Sequence, residues 1–409
     1  MSFLGHISVC ETHGIRRFLY PVSLEIPSSL LHSAEGAGLI MADGRPIPLQ
    51  VTPSATNPGQ YCRLDFAVSL SPMEKLELKL LAGGEAPLSA PSFTPEAEGL
   101  GQVDRRGTRS EAEGLGQVDG RGTRSEAEGP GQVGGRGTRP GADDPLQTEE
   151  KKRFRSTQRR FSVEFDRCGT LHEVVYDSFP HLRAPAAFNL NGRPAALEGA
   201  AAFAAGCPLS ARVMAVGQYP DGCGAIAHLE TTAYKSWVML THVLSRTQPE
   251  DELVFNLPLA VSSSAVTCDF GVGGGIYGSL QSETCPEMVW NSEFLHSGGV
   301  RWSITSSGRT DYVGEVKTAE EYLRQQWFHQ VDGRKALAVA VTQIPGCCRE
   351  MKVTLRANGD IAVAFRIGEA AEVSTAFALC CHFLNNIPAI SAATNPQSIL
   401  LPPVVTKDF

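Results

Sequence analysis

The sequence lacks any apolar run of about 18 residues, the length that a membrane-spanning helix needs. Its first residues, MSFLGHISVCETHGIRR, also lack the basic start, long apolar stretch and cleavage site of a secretory signal. With 36 Lys+Arg against 44 Asp+Glu, the formal net charge is -8, which disfavours a general nucleic-acid or acidic-membrane surface. We therefore expect a cytoplasmic protein that binds neither nucleic acid nor membranes.

No CxxC motif occurs among the 11 cysteines, so the sequence indicates neither a zinc site nor a redox motif. Two adjacent pairs, Cys347-Cys348 and Cys380-Cys381, stand in apolar surroundings and cannot easily bridge with each other. Without an export signal, reduced and mostly buried thiols are expected rather than a disulfide scaffold.

Signals for nucleotide binding and for a hydrolytic serine are also missing. No GxSxG elbow appears, and no Lys-Ser/Thr follows the glycine-rich stretch DFGVGGGIYG from Asp269 to Gly278. Both flanks of that stretch are typical of strands, so no helix N-terminus is available to hold a phosphate. We expect a sharp glycine turn there, with Tyr277 as a wall of a ligand cleft, and no cofactor.

Helix signals are scarce, whereas strand signals fill most of the chain. One capping box, Thr318-Ala319-Glu320-Glu321, favours a helix start that opens TAEEYLRQQW, while the run into Trp327 is equally typical of a strand. Asp332-Gly333 and Asn358-Gly359 predict tight hairpins, because such dipeptides supply positive φ. The predicted fold is all-β: a small N-terminal β-barrel or β-sandwich domain over residues 1–83 and a larger antiparallel β-sandwich or supersandwich domain over 161–409.

A tandem repeat of fifteen residues separates the two predicted domains, with copies at 96–110, 111–125 and 126–140. Each copy carries one Val and at most one Leu among Gly, Glu, Arg and Thr, too little apolar surface to offset the entropy of ordering it. We expect a disordered linker over residues 84–160 that acts as a spacer. Its basic cluster at 151–160 is solvated or binds an anionic partner.

Several stretches resemble carbohydrate-active proteins. PVSLEIPSSLL, GLIMADGRPIPLQV and YCRLDFAVSLSPMEKLELKLLAG resemble the small N-terminal β-domain of exo-acting rhamnogalacturonan lyases, in which a "P-V-S" strand precedes a "D-G-R-x-x-P-x-Q" hairpin and a strand pair. The stretch from ARVMAVGQ to FNLPLAV is similar in rhythm to the sheets of carbohydrate-active supersandwich domains. The resemblance implies a carbohydrate substrate but no catalytic residues, since its matched positions are turn and core positions and the helical toroid of that family has no counterpart here.

The densest group of polar residues lies on two adjacent predicted strands and includes His228, Glu230, Tyr234, Lys235 and His242. His228 and Glu230 are two residues apart, so they share one face, and antiparallel pairing would bring Lys235 or His242 close. Such a cluster suits β-elimination from a uronic acid, with Tyr, His or Lys as the base. A surface ion pair with ordinary sheet histidines is the alternative. His228, Glu230 and His242 form a poorly diagnostic metal set, and no metal is predicted.

Substrate binding is predicted for Tyr277, Arg301, Trp302 and Tyr312, because an aromatic face packs on the apolar face of a pyranose. The four tryptophans and His296 extend this set of stacking candidates, with burial in the core as their alternative fate. Arg301 and Trp302 are adjacent in a strand and should point to opposite faces. A pair of carboxylates for glycoside hydrolysis is not identified among the candidates Asp269, Glu283, Glu287, Glu293 and Asp311.

Two hypotheses from different classes follow from these patterns. The first is an enzyme, a lyase that cleaves uronic-acid-containing oligosaccharides or polysaccharides by β-elimination. The second is a non-catalytic β-sandwich protein that binds carbohydrate or assembles with copies of itself. Whether the protein is an enzyme and whether it forms a homo-oligomer stay open at the level of sequence.

Overall fold

The computed structural model describes residues 2–31, 37–54, 59–82, 96–97, 153–158, 160–166, 169–202, 209–333, 335–370, 374–385 and 396–409. About two thirds of these residues lie in antiparallel strands and very few in helices, which confirms the predicted all-β class. The three repeats, apart from the first two residues of the first copy, lie outside the described residues. Their role as a spacer and the predicted division into domains therefore stay predictions.

The described elements are mostly short strands joined by turns, with two short α-helices and two 3-10 turns, at Ser28–Leu30 and Val272–Gly274, between them. In chain order they are β1 (Ser2–Cys10), β2 (Arg17–Pro27), β3 (Ala37–Met41), β4 (Pro46–Ile47), β5 (Leu49–Pro53), β6 (Tyr61–Leu70), β7 (Lys75–Ala82), β8 (Glu96–Ala97), β9 (Arg153–Gln158), β10 (Phe161–Asp166), β11 (Leu171–Tyr176), β12 (Phe179–Pro180), β13 (Ala187–Leu190), β14 (Arg193–Pro194), β15 (Ala196–Ala202), β16 (Ser210–Gln218), β17 (Gly224–Thr232), β18 (Trp237–Ser245), β19 (Glu252–Pro258), β20 (Ala265–Phe270), β21 (Ile276–Gln281), β22 (Glu287–Phe294), β23 (Val300–Ser306), β24 (Arg309–Val316), α1 (Ala319–Leu323), β25 (Trp327–Asp332), β26 (Lys335–Gln343), β27 (Cys348–Arg356), β28 (Asp360–Ile367), β29 (Thr375–Asn385), α2 (Gln397–Leu400) and β30 (Val404–Asp408).

Two small sheets, ordered β30-β1-β7-β3-β4 and β2-β6-β5, form a small sandwich from the N-terminal strands and β30. Alternate residues of each strand are buried in one shared cluster, for example Ile7 and Val9 of β1 and Leu64 and Phe66 of β6. The period of two in these strands therefore has the expected origin, one face in the core and one towards solvent or a neighbouring sheet.

Two large sheets supply the main core. One has the order β14-β13-β19-β28-β27-β22-β23-β24 and the other β15-β16-β17-β18-β29-β26-β25-β20-β21. Their inner faces meet in a single cluster that includes Trp290 and Phe365 from the eight-stranded sheet and Phe377 and Leu379 from the nine-stranded one, all fully buried. A third sheet, β12-β11-β10-β9-β8, adds residues of β10 and β11 to the same core.

The centre of the nine-stranded sheet is buried on both faces. Trp237, Ala340 and Cys380 lie on the face away from the main core and belong to the cluster of the small sandwich. β26 accordingly has a near-continuous apolar sequence, KALAVAVTQ, instead of a clean alternation. The small sandwich thus packs directly on the large sheet.

The predicted hairpins and helix start are confirmed. β25 and β26 pair across the turn at Gly333, and β27 and β28 pair across Gly359; both glycines have positive φ. Thr318 caps α1, since its hydroxyl accepts a hydrogen bond from the backbone N–H of Glu321 at 3.2 Å. Within the described stretches, no helix is long and apolar enough to cross a lipid bilayer.

Three strands depart from the boundaries expected from the sequence. β8 and β9 lie within the predicted linker at 84–160, yet they pair with each other, and β9 pairs along its whole length with β10. β30, at the end of the predicted larger domain, pairs with β1 in the small sandwich, with His6 opposite Asp408. The β1–β30 pairing joins residues distant in sequence, so no local apolar pattern marks it, whereas β9 and β10 are consecutive strands of one hairpin.

The contact between β1 and β30 gives a stability prediction. A methyl group added at Gly5 would collide with the carbonyl of Asp408 and the ring of Phe409, whereas one added at Gly346 meets no atom within 4 Å. We expect Gly5→Ala to lower the free energy of unfolding by about 1 to 3 kcal/mol, the usual cost of overpacking, and Gly346→Ala to leave it unchanged. Urea unfolding of both variants measures the difference; equal stability would contradict the β1–β30 pairing.

Candidate functional site

A cleft of about 490 Å³ opens where the small sandwich, the nine-stranded sheet and the C-terminal segment meet. We call it the junction cleft. It is defined by residues from three parts of the chain: Tyr20 and Arg63, Glu230 and Trp237, and Ile399 and Leu400.

The strand pattern explains how Glu230 reaches this cleft. In β17 the residues alternate between buried positions facing the main core and partly buried positions on the opposite face. Glu230 and His228 both lie on that outer face, as predicted from their spacing. Trp237 begins β18 after the short turn that follows β17.

Two arginines and two carboxylates form a closed ring at one side of the cleft. Arg63 donates to Glu230 Oε1 at 2.7 Å and to Asp65 Oδ1 at 2.8 Å. Arg212 donates to Asp65 Oδ2 at 2.7 Å, and its Nε lies 3.1 Å from Glu230 Oε2. The nearby carboxylates raise the pKa of Arg63 against the opposing effect of its burial. The ring carries two charges of each sign and is formally neutral.

An aromatic pair forms another wall. The rings of Tyr20 and Trp237 lie 5.8 Å apart in an edge-to-face arrangement at 76°. Trp237 is only 4% exposed, and its indole N–H has no hydrogen-bond partner within the described structure. Burial raises the pKa of Tyr20 to about 12, so its phenol stays protonated. The wall therefore combines apolar surface with an indole donor that no described residue engages.

Lys235 lies beside this wall. Its Nζ is 5.1 Å from the centre of the Trp237 ring and donates to the carbonyl of Phe18 at 2.7 Å. Burial, assisted by the positive charge of Arg17, lowers the pKa of Lys235 to about 8. An amine with this pKa is neutral in part at physiological pH and can accept a proton.

The wall of the cleft formed by α2 is held in place by a buried ion pair. Arg17 lies 3.3 Å from Glu11, and both side chains are fully buried. Arg17 also donates to the carbonyls of Ser398, at 2.7 Å, and Leu401. These bonds fix α2, which supplies the apolar lining of the cleft.

The other predicted catalytic residues lie apart from the cleft. His242 is opposite Ala227 in the sheet and therefore points into the core, away from the face of His228 and Glu230. It forms a 2.8 Å hydrogen bond with the hydroxyl of Tyr219, and burial lowers its pKa to about 3. Burial also lowers the pKa of His228. Tyr234 occupies the turn after β17 with φ of 66°.

The predicted substrate-binding residues are spread over other surfaces. Arg301 and Trp302 point to opposite faces of β23, yet both line a second cleft of about 380 Å³. The indole of Trp302 is buried beneath Gly314, while Arg301 lies 3.1 Å from Glu293 in an exposed ion pair. Tyr277 and Tyr312 are exposed on the edge strands β21 and β24. The structure does not gather these four side chains into one site.

Sequence reasoning missed the partners that define the cleft. Arg63 and Asp65 alternate with buried residues in β6, a pattern that indicates an outward face but not what covers it. Tyr20 carried no distinguishing signal, whereas Trp237 was one of four stacking candidates. Within the described ranges, no group of three His, Cys, Asp or Glu side chains is arranged to hold a metal ion.

Comparisons with known proteins bear on the fold. No protein-family model and no curated protein matches the chain. The chain is similar to a solved structure of a protein in glycosyl hydrolase family 38 from Enterococcus faecalis, with 8% identity, a TM-score of 0.54 and coverage of 99% of this chain and 48% of that one. It is also similar to an alpha-mannosidase from Enterococcus faecalis V583, with 10% identity, a TM-score of 0.55 and coverage of 99% and 46%.

These two similarities extend over the whole of this chain but only about half the length of each solved protein. At such low identity they establish a shared fold. The β-sandwich architecture is thus one that carbohydrate-active proteins use, whereas the specific resemblance to rhamnogalacturonan lyases stays a prediction.

Proposed function

We propose that the protein is carbohydrate-active and that the junction cleft binds an oligosaccharide. The observation that carries this proposal is Trp237, a residue that lines the cleft and whose buried indole N–H has no hydrogen-bond partner in the described structure. A buried donor without an acceptor costs free energy, so a ligand hydroxyl or ring oxygen that accepts from it gains affinity.

The remaining lining matches the two kinds of surface on a pyranose. Tyr20, Trp237 and Leu400 offer apolar area to the C–H face of the ring, while Arg63 and Glu230 offer a donor and an acceptor to its hydroxyl edge. Small-ligand sites commonly combine a mostly apolar lining with a few polar groups that fix orientation. The two solved proteins of similar fold, named as a glycosyl hydrolase family 38 protein and an alpha-mannosidase, support the same substrate class.

Trp237→Phe tests the proposal by removing the N–H while keeping an aromatic ring. We expect it to weaken oligosaccharide binding by about three- to tenfold, the contribution of one neutral hydrogen bond, as measured by calorimetric titration against a glycan panel. Trp290→Phe is the matched control, because Trp290 is fully buried in the main core and its N–H also has no partner in the described residues. Equal affinities for both variants and the native protein would contradict the assignment of the cleft.

Cleavage of a glycosidic bond by β-elimination is the second candidate function, and the lowered pKa of Lys235 beside the cleft wall favours it. With a pKa of about 8, its neutral amine could remove the proton beside a uronate carboxylate, as the glycosidic oxygen leaves and a carbon–carbon double bond forms. The candidate requires a rise in ultraviolet absorbance on a uronate oligosaccharide and its loss in Lys235→Arg. Hydrolysis by two carboxylates has less support at this cleft, since both oxygens of Glu230 face guanidinium groups.

A further inference from the structure

We propose that the junction cleft selects neutral sugars and rejects uronates. This inference rests on the proposed function, because it specifies the class of oligosaccharide that the same cleft binds, and it argues against the β-elimination candidate, which needs a bound uronate. Its starting point is the ring of Arg63, Asp65, Arg212 and Glu230, two of whose members, Arg63 and Glu230, line the cleft.

The positive charge of the two arginines in the ring is already balanced by Glu230 and Asp65. Each guanidinium lies within 3.1 Å of a Glu230 oxygen and within 2.8 Å of an Asp65 oxygen. Arg63 also donates to the hydroxyl of Ser23, and Arg212 to that of Ser210. A uronate carboxylate that approached either arginine would meet a guanidinium whose charge is already balanced by Glu230 and Asp65, so the ring offers no net attraction to an anion.

The charge of Glu230 acts against an acidic ligand as well. Its side chain is 19% exposed at the cleft, so an incoming carboxylate would approach it in a partly desolvated site. Two like charges at close range repel strongly where water is excluded. A carboxylate has only acceptors and cannot satisfy Glu230, which is itself an acceptor.

A sugar hydroxyl has the complementary chemistry. One O–H can donate to a Glu230 oxygen while its lone pairs accept from Arg63, because a hydroxyl is both donor and acceptor. Neighbouring hydroxyls on a pyranose can thus bridge the ion pair without breaking it. Ile399, Leu400 and Tyr20 line the same cleft and offer apolar area to the C–H face of the ring.

The test uses matched ligands that differ only in the carboxylate. Neutral hexose tetramers, such as cellotetraose and mannotetraose, are compared with their C6-oxidised uronate forms by calorimetric titration of the full chain. We expect the neutral member of a binding pair to bind at least about tenfold more tightly, since one like-charge contact exceeds the 1.4 kcal/mol that corresponds to tenfold. A uronate that binds as tightly as its neutral partner would overturn the inference while leaving oligosaccharide binding intact.

A charge variant sharpens the result. Glu230→Gln keeps the shape of the side chain and removes the repulsion, so the preference for the neutral ligand should fall severalfold or reverse. Glu293→Gln is the control, because Glu293 is also paired with an arginine, Arg301, outside the junction cleft; its selectivity should equal that of the native protein. An unchanged preference in folded Glu230→Gln would overturn the charge argument.

A salt series on the native protein covers the case in which Glu230→Gln does not fold. Affinity for the neutral tetramer should be independent of ionic strength up to about 0.5 M, while an attraction based on free arginine charge would be screened over this range. Tight uronate binding that salt abolishes would contradict the inference. Absence of binding by every tetramer, neutral and acidic, would instead contradict the proposed function itself.

Discussion

The free energy of unfolding should fall steeply as the pH drops from about 6.5 to about 5, by about 3 to 4 kcal/mol for each pH unit. Four histidines with lowered pKa values contribute to this, and the three with the largest shifts dominate it. Burial lowers the pKa of His181 to about 4 and those of His242 and His382 to about 3, from 6.5. Below pH 6.5 the unfolded chain binds protons at these positions and the folded chain does not. The histidines therefore make their full contribution to the free energy of unfolding above pH 6.5, and this contribution is lost as the pH falls towards their pKa values in the folded protein.

His242 shows why the folded state resists protonation. Its ring stacks on Phe188 with 4.7 Å between centres, and one nitrogen bonds to the Tyr219 hydroxyl. The other nitrogen is buried with no hydrogen-bond partner in the described structure, so a proton placed there would have neither water nor an acceptor. Neutral imidazole is the form that this part of the core accommodates.

Urea unfolding at pH 7, 6 and 5 measures the slope, and this window lies above the pH range in which carboxylates dominate acid unfolding. His242→Gln should reduce the slope by about one third, since one of the three dominant titrating groups is removed. His6→Gln, at an exposed position of β1, should leave it unchanged. A stability that is constant between pH 6.5 and 5 would mean that these histidines titrate normally in the folded protein.

Glu230→Ala should destabilise the protein by about 2 kcal/mol, less than the roughly 3 to 5 kcal/mol that breaking a fully buried ion pair costs. The variant leaves Arg63 and Arg212 facing each other across the contact between the small sandwich and the nine-stranded sheet. The side chains of Arg63 and Glu230 are 24% and 19% exposed, so water recovers part of the loss.

A double-mutant cycle separates this structural role from a catalytic one. If Arg63 and Glu230 act as a pair, Arg63→Ala combined with Glu230→Ala should cost less than the sum of the two single changes. Urea unfolding of the four proteins gives the coupling free energy. Strict additivity would mean that the ion pair contributes nothing to the docking of the small sandwich, and would leave Glu230 available for another task.

Local features were predictable because neighbouring residues determine them. The turns at Gly333 and Gly359, the cap at Thr318 and the shared face of His228 and Glu230 all follow from local sequence signals. The orientation of His242 was not predictable in this way, because it depends on the register that sets Ala227 opposite it.

The junction cleft was even less predictable from local sequence patterns. The ion pair of Arg63 with Glu230 joins residues 167 positions apart. The hydrogen bond from Arg17 to the carbonyl of Ser398 spans 381 positions. No periodicity within a strand encodes such a meeting, which depends on which sheet packs on which. Sequence patterns therefore identified Glu230 and the tryptophans as candidates. Their partners could be identified only from the way the sheets pack.

The pairing of β1 with β30 has a consequence for how the chain is made. β30 leaves the ribosome after every other described strand, yet it completes a sheet whose remaining strands come from the first 82 residues. Until then the outer edge of β1 carries unpaired backbone groups, the kind of strand edge at which chains associate wrongly. The sheet that contains β1 is therefore complete only once β30 has been made, and until then the open edge of β1 favours aggregation.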